Sequence, residues 1–127
     1  MRLVLEDRSS ERIVGLFELS LALTAGDIAR YRAAGAGIHL SEQTDCRFGP
    51  TLGDAYQGSG VGSLVLPPVM DAVRRLGRRR VILWGGVLAD NARALRFYEQ
   101  NGFQRVGSFT GPDGTLSLDM ILSLACA

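Results

Sequence analysis

The chain has 127 residues, 46% of them hydrophobic, enough for one compact domain with its own core and too few for two ordinary ones. Fourteen Lys plus Arg against thirteen Asp plus Glu leave a formal charge of +1, so no global field favours nucleic acid or an anionic membrane, and any anion site must be local. No apolar run approaches the ~20 residues that cross a bilayer, and the opening "MRLVLEDRSSER" turns charged too early for a signal peptide, so a cytoplasmic location is expected.

In chain order, "MRLVLE" and "RIVGLFELS" read as two strands joined by the polar "DRSSE", a hairpin. In "LALTAGDIARYRAAGAG", Asp27 is positioned to cap a short helix that runs through Tyr31. Pro50 removes a ladder donor, which predicts an edge, a bulge or a strand end, and a bulged strand from Cys46 to Gly53 is the reading adopted. Val61, Val65, Val69, Val73 and Leu76, with Leu64 between them, then recur at helical steps before Gly77, and Pro67 and Pro68 predict a kink inside that helix.

"RRRVILWGGV" reads as one continuous apolar strand, with Trp84 packed against a helix. "DNARALRFYEQNGF" is a helix capped by Asp90 or Asn91 and ended by Asn101-Gly102. "FQRVGSFT" and "TLSLDMILSL" flank the turn "GPDG" as a closing hairpin. Cys46 and Cys126 lack metal-ligand spacing and read as small buried hydrophobes, and no metal is expected. His39 reads as an ordinary loop or strand residue, and Arg74, Arg75, Arg78, Arg79 and Arg80 as a solvated helix end.

"DAYQGSGVGS", residues 54–63, is the stretch that asks for chemistry. Between a strand end and a first helical turn its backbone amides become unpaired donors, and Gly58, Gly60 and Gly62 let a phosphate approach them with help from the helix dipole. A Walker loop would need Lys-Ser/Thr after its last glycine, where Ser63-Leu64 stands. A Rossmann fingerprint would need glycine at Ser63 and a parallel sheet before it.

The form that remains, with Gln57, Gly60 and Gly62 in place, resembles the pyrophosphate loop Q/R-x-x-G-x-G/A of the GNAT superfamily of acyl-CoA-dependent N-acyltransferases. The likeness continues through "RRVILWGGVLADNARALRFYEQNGF", which is similar to the family's strand, Asn-led helix and closing Tyr-x-x-x-Gly-Phe. The resemblance implies an α/β (α+β) fold: a GNAT-like mixed, mostly antiparallel sheet with a central β-α-β crossover and flanking helices, residues 1–127 forming a single, N-terminally short domain.

It further implies that the strand ending near Asp54 and the one beginning near Val81 splay apart to admit acetyl-CoA. Backbone groups around Leu52 and Asp54 would meet the pantetheine arm, while amides of Gln57, Gly58, Ser59, Gly60, Val61, Gly62 and Ser63 would hold the pyrophosphate. Asn91 resembles the family's cofactor-contacting Asn and Tyr98 its general acid; taken alone they read as an N-cap and a core aromatic. The base stays open among Glu18, Asp45 and His39, and Arg47 stands near where many relatives carry an acidic residue.

The implied reaction is acetyl transfer from acetyl-CoA to a primary amine of a small molecule, peptide or protein by direct attack in a ternary complex. The alternative is an acyl-CoA-binding module that is weakly active or inactive. Relatives begin with an additional strand and two helices that wall the acceptor site, whereas this chain starts at what looks like their second strand. Either the gene product is truncated, or segment 21–37 and a neighbouring subunit supply the wall; the exposed edge favours a homodimer.

Overall fold

The computed structural model describes residues 1–127 apart from 36, 54, 55, 59 and 125–127. Ten elements follow one another: β1 (Arg2–Asp7), β2 (Arg12–Ser20), α1 (Ala25–Ala33), β3 (Asp45–Leu52), α2 (Val61–Arg75), β4 (Arg80–Leu83), β5 (Val87–Leu88), α3 (Ala92–Gln100), β6 (Gln104–Thr110) and β7 (Leu116–Ser123). They build one seven-stranded sheet in the order β1-β2-β3-β4-β7-β5, with β6 also paired to β7. Among the described residues only β3 and β4 are parallel, joined through α2, and the other pairs are antiparallel. The mixed sheet with one β-α-β crossover is therefore as expected.

Strand alternation sends side chains to opposite faces, and each face has its own core. Phe17, Leu19, Cys46, Phe48, Val81, Leu83 and Met120 pack on one face against Leu66, Val69, Met70 and Val73 of α2 and Leu95 and Tyr98 of α3. On the other face Ile82 and Ile121 meet Leu23, Leu40 and Tyr31, whose hydroxyl donates to the Met120 carbonyl at 3.1 Å. Two helices thus cover one side of the sheet and α1 the other. Cys46 is fully buried, as read from the sequence; Cys126 lies outside the described residues.

Several local expectations are corrected. Helix α1 is capped by Thr24, and Asp27, the third residue of the helix, completes a capping box, its carboxylate accepting from the Thr24 amide at 3.1 Å. On α2, Leu64 and Leu76 are exposed, so the buried stripe is Leu66, Val69, Met70 and Val73. Pro67 and Pro68, where a kink is expected, lie inside that helix on its exposed side, where water can satisfy the carbonyls that lose their amide donors.

Pro50 does not mark a bulge, because the β2–β3 register runs unbroken from Ser20↔Arg47 to Gly15↔Leu52. The Gly53 amide donates to Val14 on β2, whereas the Phe48 carbonyl accepts from Trp84 on the β4 side. By alternation the peptide groups of Phe48, Pro50 and Leu52 all face β4, so the imino nitrogen of Pro50 forfeits no bond to β2. Pro50→Ala should then lower stability by about 0.4–1 kcal/mol through unfolded-chain entropy alone. A rise in melting temperature would mean that the amide faces β2.

The continuous strand expected over "RRRVILWGGV" is also broken. β4 ends at Leu83, Gly85 and Gly86 take φ of 76° and 69°, and Val87–Leu88 resumes against β7. Gly86 needs its missing Cβ twice over, since one would stand 2.7 Å from the Leu118 carbonyl oxygen at a positive φ. Trp84, expected against a helix, is 43% exposed at this turn, with the Arg47 guanidinium 4.3 Å over its ring.

Candidate functional site: parted strands and a glycine loop

β3 and β4 are held together at one end and released at the other. Asp45 is fully buried at the closed end, accepting from Arg80 Nε at 2.8 Å and a second guanidinium nitrogen at 2.9 Å, and from the Ser41 amide at 2.7 Å. Pairing runs from Asp45↔Arg80 to Phe48↔Leu83, and the bond from the Trp84 amide to the Phe48 carbonyl, 2.8 Å, is the last. β3 then continues for four residues while β4 turns away through its two glycines.

The uncovered edge of β3 carries the Pro50 carbonyl and the Leu52 peptide groups. Because Pro50 has no N–H, Leu52 supplies the amide donor on this edge beyond Phe48, and that amide meets no acceptor among the described residues. The Leu52 carbonyl accepts from Gln57 Nε2 at 2.8 Å, which ties the glycine loop back onto the strand. Leu52 is one of the residues whose backbone the resemblance implies would meet the pantetheine arm; Asp54 and Ser59 lie outside the described residues.

In the loop, Gly58 and Gly60 adopt φ of 73° and 85°, which side-chain-bearing residues rarely tolerate. Gly60 is the N-cap of α2 and offers no side-chain acceptor, so the amides of Val61 and Gly62 meet none among the described residues. Uncapped donors and the positive end of the helix dipole therefore coincide. Gly62 has a different reason for being glycine from the one read in the sequence: a Cβ there would stand 2.8 Å from Phe97 Cε1, so it serves close packing of α2 on α3.

Helix α3 contributes two faces. Arg93, Phe97 and Asn101 recur at four-residue steps toward the loop: a Cβ on Gly58 would lie 3.8 Å from the Arg93 guanidinium, Phe97 abuts Gly62, and Asn101 Nδ2 donates to Ser63 Oγ at 3.1 Å. Arg93 was missed in the sequence although its spacing from Phe97 was readable; only the docking of α3 beside the loop shows what that face meets. Asn91 caps the helix, its Oδ1 accepting from the Ala94 amide at 3.1 Å.

Tyr98 points inward. It is 9% exposed, packed edge-on to Phe97 and Phe103 with ring centroids 5.3 and 5.2 Å away, and its hydroxyl has no hydrogen-bond partner among the described residues. Burial disfavours the phenolate and pushes its pKa up to about 12.

Of the three candidate bases, Asp45 is consumed by Arg80 and Ser41, and His39 sits in an exposed loop where its carbonyl accepts from Arg80 at 2.8 Å. Glu18 stands on β2 opposite Gly49, one residue past the last β3–β4 pair, with Arg2 at 3.3 Å. Arg47 spans from Trp84 to the Ala22 carbonyl, 2.9 Å, and Ser20 Oγ, 3.2 Å. No three His, Cys, Asp or Glu side chains converge as a metal site among the described residues.

Residues 51–103 match the model of the acetyltransferase (GNAT) family. No curated protein sequence matches the chain. Among solved structures, a candidate phosphinothricin N-acetyltransferase superposes with a TM-score of 0.73 at 19% identity, covering 98% of this chain and 72% of that one. A candidate acetyltransferase from Salmonella typhimurium, solved with its cofactor acetyl-CoA, gives 0.71 at 18%, covering 99% and 65%. AAC(6')-Ib in complex with ribostamycin and coenzyme A gives 0.65 at 22%, covering 89% and 59%. The matched segment contains the end of β3, the glycine loop, α2, β4 and α3, and the chain as a whole shares the fold of these acetyltransferases.

Proposed function

We propose that the protein transfers an acetyl group from acetyl-CoA to an amine by direct attack in a ternary complex. One observation carries the reading: the amides of Leu52, Val61 and Gly62, which meet no acceptor among the described residues, lie at the two ends of one short segment, beside strands that have parted. A pyrophosphate on the loop amides, with Arg93 over it, would direct the pantetheine along β3 and bring the thioester to the opening between β3 and β4.

There the Leu52 amide stabilises the developing oxyanion, and Tyr98, protonated throughout the neutral range, gives its proton to the departing thiolate. The same exclusion of water that raises the tyrosine also raises the proton affinity of the thiolate, which narrows the gap between donor and acceptor. Glu18 is the carboxylate that β2 places nearest the opening; an amine that arrives neutral needs no base to attack, and the proton its nitrogen sheds as the tetrahedral adduct collapses returns to the Tyr98 phenolate.

Calorimetry with coenzyme A tests binding, and thiol release across a panel of amines tests turnover. Arg93→Gln should weaken coenzyme A about tenfold and flatten the salt dependence, as loss of a charge-assisted phosphate contact predicts. Coenzyme A binding indifferent to this change and to salt would refute the loop as the pyrophosphate site.

A further inference from the structure

We propose that β1 pairs with β1 of a second copy of this chain, antiparallel about Val4, joining two sheets into one. The reciprocal bonds between Met1 and Leu19, both 2.8 Å, fix which residues of β1 face β2: Met1 does, and by alternation so do Leu3 and Leu5. The peptide groups of Arg2 and Val4 then point to the outer edge, where β1 has no neighbour among the described residues. Val4 is 61% exposed on this edge strand, and Ile13, opposite Glu6 on β2, is 60% exposed.

The sequence of this edge, "RLVLED", is complementary to itself when reversed. A twofold axis normal to the sheet at Val4 places Val4 against the partner's Val4, Leu3 against the partner's Leu5, and Arg2 against the partner's Glu6. The outward Val4 peptide groups then pair with each other, each apolar side chain meets an apolar one on its own face, and Arg2 opposes the partner's Glu6 at both ends, just past the register shift between Leu5 and Glu6. Shifting the axis to Leu3 or Leu5 loses this, pairing Val4 with the partner's Arg2 or Glu6. A closed twofold contact of this kind removes the exposed edge without propagating into a fibre.

The variants separate the interface from the fold. Val4→Pro removes an amide that makes no bond to β2, so the monomer should keep its circular dichroism and melting temperature while the wild-type dimer disappears in light scattering and sedimentation. Arg2→Glu alone and Glu6→Arg alone place like charges across both ends and should each weaken dimerisation roughly tenfold. Mixing those two variants restores opposite charges at both ends and should recover a heterodimer. A wild-type chain that stays monomeric at high micromolar concentration would overturn the proposal, as would a dimer that survives Val4→Pro or a mixture that associates no better than its parts.

Discussion

Tyr98→Phe should reduce kcat by about 10²–10⁴-fold while leaving coenzyme A affinity and the fold almost unchanged. The substitution removes one oxygen from a ring held edge-on between Phe97 and Phe103, and that oxygen has no hydrogen-bond partner among the described residues, so no protein contact is lost with it. A small effect on melting temperature beside a large effect on turnover is the signature of a proton donor rather than a packing residue.

The pH profile carries a second reading. With its pKa pushed up to about 12, Tyr98 should produce no loss of kcat anywhere below the ordinary tyrosine value near ~10. The folded value lies above the unfolded one, so the contribution of this group to stability is complete below about pH 10 and is lost as pH climbs from there toward 12. Thermal melts of wild type and Tyr98→Phe should therefore diverge only in strong alkali. Turnover in Tyr98→Phe equal to wild type would remove this residue from the chemistry.

Asp45→Ala should cost about 3–5 kcal/mol, a large share of the stability of a domain this size, and lower the melting temperature by roughly 10 °C or more. The carboxylate is fully buried and its removal strands the Arg80 guanidinium, which holds it through two bonds, and leaves the Ser41 amide without its acceptor. The consequence reaches the site because this cluster closes the end of the β3–β4 ladder from which the two strands diverge. Arg80→Ala combined with Asp45→Ala should cost less than the two single losses added, since each single variant already breaks the same pair. Additive costs would show that the pair is not a unit.

These two predictions rest on sequence features of different legibility. Tyr98 was named from a motif, and its seven-residue distance from Asn91 suggested a shared face. The structure keeps Asn91 at the exposed cap and sends Tyr98 into the core, with a raised pKa that no local pattern announces. Asp45 appeared in the sequence only as one of three candidate bases. Its actual role depends on Arg80, thirty-five residues away, and on the parallel register that sets the two opposite each other.

By itself the sequence determined the order of strands and helices, the crossover through α2, the loop whose glycines free its amides, and the cap and end of α3. Each of these is set by neighbours a few residues apart, through periodicity, backbone freedom and capping. Tertiary structure decided which edge of β3 bears Pro50, why Gly62 has no side chain, where β4 breaks, and which face of α3 meets the loop. Those outcomes depend on the parity of a ladder and on atoms of other elements, such as Phe97 against Gly62 and the Leu118 carbonyl against Gly86, that approach only when the chain is folded.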